Sequence, residues 1–312
     1  MYLSVIIPAF NAQESLARCV NSIQAAIEQL GQASFDAEII IVNDGSQDRT
    51  QEVADDLAHK SPHITVIKQD NLGVSTARNQ GLSIASGEWV CFVDDDDTIK
   101  DDALLLFSQV KPDSDIAVLR SFCKEKERYS WSRYFEIGRA YNKDEVMQKG
   151  YLRGSICGCI FNRAFLLDNH LHFPQGLRLS EDTVFFGACL STIHSICFLD
   201  IPFYLITPRQ NSASRKRNKE DLNALSQAIR VATTQISDPA VRYYTAFKLI
   251  INYSSRSVDC HVPAHEAQKS ISDILPLPLR GIHTEKWKIA LLNISYPLFY
   301  CLIRLRNRLS GK

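Results

Sequence analysis

Along the first hundred residues the apolar positions alternate between two spacings. Short apolar, mostly β-branched runs fall at Val5-Ile6-Ile7, Ile39-Ile40-Ile41-Val42, Ile64-Thr65-Val66-Ile67 and Trp89-Val90-Cys91-Phe92-Val93. Segments of helical length, Glu14 to Leu30, Gln47 to His59 and Val74 to Ala85, lie between them. Runs without polar alternation suit strands covered on both faces, and strands alternating with helices predict βαβ units and a parallel sheet, an α/β fold. Ser46 and Asp48 stand where the second helix would be capped, and Gly87 follows a third helix ending near Ser86. Sheets of this kind hold ligands beyond the carboxyl ends of their strands. The polar segments at those ends are Pro8 to Asn11, Asn43 to Asp48, Asp70 to Gly73 and Asp94 to Thr98.

Beyond residue 100 the alternation loosens. Ile116 to Leu119 reads as a strand, Gly154 to Phe161 as a Gly-interrupted apolar segment, and Ile196 to Ile206 as a strand interrupted by Pro202. From about Lys219 the period turns helical, over Leu222 to Ile236 and Val241 to Ser254. The expected organisation is a first domain over 1–218, made of halves 1–98 and 99–218, and a helical C-terminal region over 219–312. The longest apolar stretch, Ile289 to Ile303, is broken by Pro297 and is shorter than the ~20 residues a membrane span needs.

A chain of 312 residues with 45% hydrophobic and 22% charged residues can bury a core, which excludes wholesale disorder and a coiled coil. Its net charge of zero hides an asymmetry: residues 1–100 carry fifteen acids against six Lys/Arg, so the remainder is correspondingly basic. The bases gather at Arg209, Arg215, Lys216, Arg217 and Lys219 and again at the C-terminal end, a distribution that argues against nucleic acid as partner. Nine cysteines, an odd number without repeated spacing, point to free thiols in a reducing compartment, and Cys157-Gly-Cys159 reads as a pair of core thiols. With no basic leader before Leu3, the expected location is the cytoplasm.

The chemistry concentrates in Asp94-Asp95-Asp96-Asp97, which ends a buried strand. If strand geometry persists, Asp94 and Asp96 project together and Asp95 points away. Crowded carboxylates favour a hard cation, Mn²⁺ or Mg²⁺, with phosphate oxygens completing its shell; a solvated turn is the plain alternative. Asn43-Asp44-Gly45-Ser46 is a strand-to-helix turn that alone signals no chemistry. Glu181-Asp182 opens an apolar segment at helical spacing, so Asp182 reads either as a helix-capping acid or as a general base stabilised by the helix dipole. The basic stretch after Ile206 reads either as a solvated linker or as a loop closing over a departing diphosphate. His170 and His172 read as surface turn residues.

Five motifs in one order carry a resemblance: Ser4-Val-Ile-Ile-Pro-Ala-Phe-Asn11, Val42-Asn-Asp-Gly-Ser-Gln-Asp48, Gly73-Val-Ser-Thr-Ala-Arg-Asn-Gln-Gly81, Phe92-Val-Asp-Asp-Asp-Asp97 and Glu181-Asp-Thr-Val-Phe185. Together they resemble the family 2 nucleotide-sugar glycosyltransferases. That resemblance implies a GT-A Rossmann-like, mostly parallel sheet flanked by helices, over roughly residues 2–215. It implies that Pro8 and Phe10 line a base pocket, that Asp44 accepts a hydrogen bond from a uracil-type ring, and that Arg78 lies near the nucleotide. Asp94 would contact the ribose with Asp95 beside it, Asp96 would hold the metal, Arg209 would meet the diphosphate and Asp182 would be the base. Many relatives carry an acid where this chain has Asn43. The implied activity is inverting, metal-dependent sugar transfer from a nucleoside-diphosphate sugar, UDP-linked, to a hydroxyl of a growing or lipid-linked glycan.

Two rival readings use the same residues. Asp94-Asp95-Asp96-Asp97-Thr98 also fits the Asp-x-Asp-x-Thr motif of haloacid-dehalogenase-like phosphatases, with Asp94 as nucleophile and Asp96 as acid/base. The other is an inactive nucleotide-sugar-binding subunit. The apolar C-terminal segment from Trp287 to Leu305, flanked by Lys286, Lys288, Arg304, Arg306 and Arg308, is expected to be kinked at Pro297. It reads either as a helix packed on protein or as one lying on an anionic membrane surface.

Overall fold

The apolar runs of the first hundred residues become strands buried at nearly every position, except the run Ile64 to Ile67 at the sheet edge, where only Ile64 is buried. The computed structural model describes residues 2–31, 36–110, 112–124, 126–128, 131–208, 218–278 and 286–309. In chain order it runs β1 (Tyr2–Ala9), α1 (Leu16–Glu28), β2 (Asp36–Asp44), α2 (Thr50–Lys60), β3 (Ile64–Gln69), α3 (Val74–Ile84) and β4 (Trp89–Phe92). There follow β5 (Thr98–Ile99), α4 (Ala103–Val110), β6 (Ile116–Cys123), β7 (Lys126–Arg128), β8 (Ala140–Tyr141), α5 (Lys143–Gln148), β9 (Cys159–Asn162), α6 (Arg163–Asp168), α7 (Glu181–Thr192) and β10 (Ile196–Ile206). The chain ends in α8 (Lys219–Gln235), α9 (Pro239–Asp259), α10 (Ala264–Lys269), α11 (Lys286–Ile294) and α12 (Tyr296–Leu309).

The strands form one sheet in the order β3-β2-β1-β4-β9-β6-β10-β5, with β7 on β6 and β8 on β10. Its first half is parallel throughout, as the alternation predicts: β1 pairs with β2 and β4, and β2 with β3. Its second half is mixed, because β9 runs antiparallel to both β4 and β6 while β10 runs parallel to β6. Pro202 does not end β10; the ladder absorbs it through register shifts between Phe198 and Tyr204.

One face of the sheet packs on α1, α2 and α4, where Leu16, Val20, Ile23 and Phe107 meet Val5, Ile7, Ile39 and Ile41. Each such side chain, removed from water, contributes about 1.5–3 kcal/mol. On α3, Gly81 lies so close to β1 that an added Cβ would sit 2.4 Å from Ile6 Cγ2. The helix punctuation differs from the sequence expectation. Ser46 does not cap α2; Asp48 Oδ1 accepts the Thr50 N–H at 3.0 Å instead, while Ser46 Oγ accepts from Asn11 N at 3.0 Å. Gly87 does not close α3, which ends at Ile84; it lets the chain pass against β1, where a Cβ would lie 2.6 Å from Ser4 N.

The chain divides into two compact units: Met1–Asn142 with Ile156–Gly176 and Ile193–Pro208, and Lys143–Ser155 with Leu177–Thr192 and Arg209–Lys312. The first holds the sheet. The second is helical and includes α5 and α7 together with the C-terminal helices, so sequence-distant segments share its core. Its long helix α9 is capped by Asp238, whose carboxylate accepts from Val241 N, with Pro239 in the first turn where its missing N–H is harmless. Gly187 brings α7 against α9, leaving 2.7 Å between an added Cβ and Thr245 Oγ1. The C-terminal helices break at Ser295 rather than at Pro297, which lies in the first turn of α12.

Candidate active site

The four polar segments at the carboxyl ends of the parallel strands are stitched into one surface by side chain to backbone hydrogen bonds. After β2, Asp44 is buried and its carboxylate accepts three bonds, Oδ1 from Gln69 Nε2 at 2.7 Å and Leu72 N at 2.9 Å, and Oδ2 from Gly73 N at 2.9 Å. Asn43 is also buried, accepting from Ser46 N at 3.0 Å and donating to Gln51 Oε1 at 2.7 Å. Gly45, next in the turn, takes φ +69°, and a Cβ there would lie 2.5 Å from Asn71 N, so glycine is required twice over. A carboxylate offers about four lone-pair directions, so one on Oδ2 is left for a ligand.

The end of β1 joins this turn to the acid run. Asn11, at φ 50°, donates from its backbone to Ser46 Oγ, and its side-chain oxygen accepts from Gln47 N at 2.9 Å. Phe10 N donates to Asp95 Oδ2 at 3.1 Å. Pro8 is buried and Phe10 is 41% exposed, so the ring presents its surface to solvent.

The acid run does not continue β4. The strand ends at Phe92, and the Asp97 N–H donates to the Asp94 carbonyl at 3.0 Å, folding the four acids into a turn before β5. Strand alternation therefore fails here. Asp94, Asp95 and Asp96 are half-buried, while Asp97, only 4% exposed, turns inward and accepts from Thr207 N at 2.7 Å. Burial pushes the Asp97 carboxyl up to about 7; the Thr207 and Tyr204 hydrogen bonds oppose this, and the Asp94 and Asp96 charges add to it. The neighbouring Tyr204 hydroxyl accepts from Asp94 N at 3.0 Å, and burial raises it well above the usual phenol range. The carboxyls of Asp94 and Asp97 and the Cys157 thiol lie within 4.8 Å of one another. The soft sulfur of Cys157 makes that trio a poor site for Mg²⁺ or Mn²⁺, whereas the carboxylate oxygens of Asp94 and Asp96 are the hard donors such ions take.

Arg78 is buried on α3, donates from Nη2 to Asp94 Oδ1 at 2.9 Å and stacks on the Phe173 ring at 5.1 Å. Its neighbour Asn79 pairs with the Phe173 backbone both ways, donating to the carbonyl at 2.9 Å and accepting the N–H at 2.8 Å. The Arg78-Asn79 motif thus anchors both the first acid of the run and the segment around Phe173. Arg18, not singled out from sequence, donates from Nη2 to the Asp96 carbonyl at 2.6 Å and to Thr207 Oγ1 at 3.3 Å. No local signal marks Arg18, Tyr204 or Thr207, because their partners lie about 80 to 190 residues away in sequence.

The family model for glycosyl transferase family 2 matches residues 4–171, more than half of the chain. The chain belongs to glycosyl transferase family 2. This glycosyltransferase is 27% identical over 249 residues to glycosyltransferase GlyG of Streptococcus pneumoniae, covering 76% of this chain and 80% of that protein. Over 172 residues it is 34% identical to the GalNAc(5)-diNAcBac-PP-undecaprenol beta-1,3-glucosyltransferase of Campylobacter jejuni, covering 54% of this chain and 53% of the relative. In fold it matches S. aureus TarS crystallised with UDP-GlcNAc, with a TM-score of 0.70 at 19% identity, over 100% of this chain and 93% of the other. Membership of this family sets the phosphatase reading aside.

In the transferase's helical unit, Asp182 stands half-buried beside Glu181 in the first turn of α7, after Ser180 at φ 65°. Arg209 and the basic cluster through Arg217 lie outside the described residues. His170 and His172 are exposed around a turn, and Cys157 and Cys159 are buried thiols outside any disulfide.

Proposed function

We propose that this glycosyltransferase moves a sugar with inversion from a nucleoside-diphosphate sugar, UDP-linked, to a hydroxyl of a growing or lipid-linked glycan. One observation carries the reading: the Asp94–Asp97 turn ends a parallel strand beside the Asp44 turn, and Phe10 and Asn11 tie the two together. The base would lie against Pro8 and Phe10, with the remaining lone pair of Asp44 Oδ2 accepting a ring N–H. The ribose would meet Asp94, held in place by Arg78, with Asp95 beside it. Asp96 would hold Mn²⁺ or Mg²⁺, which supplies charge neutralisation for the departing diphosphate.

Asp182 is the proposed general base. In-line attack by an acceptor hydroxyl requires a carboxylate that takes its proton as the new bond forms, and one displacement with one base inverts the anomeric centre. The TarS complex with UDP-GlcNAc and the lipid-linked acceptor in the C. jejuni relative's name support the donor and acceptor classes. The test is release of nucleoside diphosphate across a panel of nucleotide sugars with Mn²⁺, followed by NMR of the product. Release with an inverted anomer is expected. Retention, or no turnover with any UDP-sugar, would overturn the proposal.

A further inference from the structure

α12 carries two apolar faces. The inner face is committed to the helical unit: Tyr296, Phe299, Tyr300, Ile303 and Asn307 are buried. The Tyr296 hydroxyl lies 3.0 Å from Ser254 Oγ, Tyr300 Oη donates to the Val262 carbonyl at 2.6 Å, and Asn307 Nδ2 donates to Ser255 Oγ at 3.0 Å. At about 100° per residue, Leu298, Leu302, Leu305 and Leu309 fall within about 60° of one another on the far side. They are 54%, 43%, 54% and 81% exposed, and Ile294, four residues before Leu298, is 83% exposed. A single exposed leucine needs no explanation, but an aligned stripe marks a contact surface.

The surrounding charge selects the occupant. Residues 286–309 contain Lys286, Lys288, Arg304, Arg306 and Arg308 and no Asp or Glu. By the same angular spacing Arg306 falls on one side of the stripe and Arg304 and Arg308 on the other, and all three are exposed. A second copy docked through this stripe would bring two sets of arginines together with no acid from the same segment to offset them. An anionic surface offsets them directly. At 14 residues α12 is about 21 Å long, short of a ~30 Å hydrocarbon core, and no helix among the described residues is long and apolar enough to cross a membrane.

We propose that the outer face of α12 docks on an anionic phospholipid surface, its leucine stripe entering the acyl boundary and its arginines meeting the phosphate headgroups. Because the inner face stays packed, docking needs no unfolding of the C-terminal helices, and it does not depend on the donor site or on Asp182. Co-sedimentation of the full chain with mixed phosphatidylglycerol and phosphatidylcholine vesicles tests it, with phosphatidylcholine alone as the control. The chain should pellet with the anionic vesicles and progressively less as salt rises. Replacing Arg304, Arg306 and Arg308 together by Gln should weaken binding by about five-fold per arginine, roughly 100-fold in all. Leu302→Ser with Leu305→Ser should weaken it at least about tenfold while leaving the melting temperature unchanged. If the serine pair disturbs folding, the arginine variant, altered only in exposed groups, decides alone. Three results would each overturn the proposal: no pelleting of the unmodified chain, equal pelleting with both vesicle types, or a dimer that the leucine variant dissociates in a protein that ignores vesicles.

Discussion

After β2 the acid and amide of Asn43-Asp44 are taken up by the fold: Asp44 accepts from Gln69, Leu72 and Gly73, and Asn43 is closed into the turn by Ser46 and Gln51. After β4 the acids are divided. Asp97 is drawn inward and keeps its proton to about 7, while Asp94, Asp95 and Asp96 stay half-buried, with Arg78 on Asp94. Both are acidic segments at strand ends of one sheet, on either side of β1. The first acts as scaffold that shapes the 69–73 loop; the second keeps charge available for a ligand. Burial and the number of backbone N–H groups within reach, rather than the residue type, make the difference.

The sharpest break in that comparison comes from an acid in neither segment. Asp182→Asn should lower turnover by roughly 10²–10⁴, the usual share of general-base catalysis, and leave donor affinity by calorimetry within a few-fold. An equal loss of donor affinity would assign Asp182 to binding. Asp96→Asn should abolish the metal-dependent part of donor binding while leaving the melting temperature unchanged or slightly raised, because one repelling charge is removed. A large fall in melting temperature would place Asp96 with the scaffold acids.

Asp44→Asn should act on both counts, lowering donor affinity through the base contact proposed at Oδ2 and costing stability through the turn. An NH2 in place of Oδ2 would face the Gly73 N–H, and one in place of Oδ1 would face the Leu72 N–H and the Gln69 amide, so either orientation costs about 1–3 kcal/mol, measurable as a shifted denaturation midpoint. Gly45→Ala should cost a similar ~1–3 kcal/mol, through positive φ and a backbone clash at Asn71. An unchanged midpoint in both would show the turn to be soft. The smallest effect expected is Phe10→Ala: a ring that stacks on a base contributes about 1–3 kcal/mol, so donor affinity should fall several-fold to about 100-fold with stability unaltered. No change in affinity would remove Phe10 from the base site.

The first hundred residues were legible in sequence because their signals are local. Val5 to Ile7 and Ile39 to Val42 are apolar without alternation, the helices between them have the right length, and the polar segments that follow are the ones the structure joins. The second half was less legible. Nothing local says that β9 runs antiparallel between β4 and β6, or that α5 and α7 share a core with helices beyond residue 218.

For the site, residue types and order along the chain were determined by sequence alone, since the acid run, the Asp-Gly turn and the Arg78-Asn79 motif are contiguous stretches. Which acid is buried, which is held by arginine and which face of α12 is left outward were decided only by tertiary structure. The reason is physical. The turn at Asp94–Asp97 breaks the strand period that would have paired Asp94 with Asp96, and Tyr204 and Thr207, which receive Asp94 and Asp97, lie 110 residues further on. In α12 the apolar period is satisfied on both sides, so its pattern cannot choose between them; the contacts with Ser254, Ser255 and Val262 do.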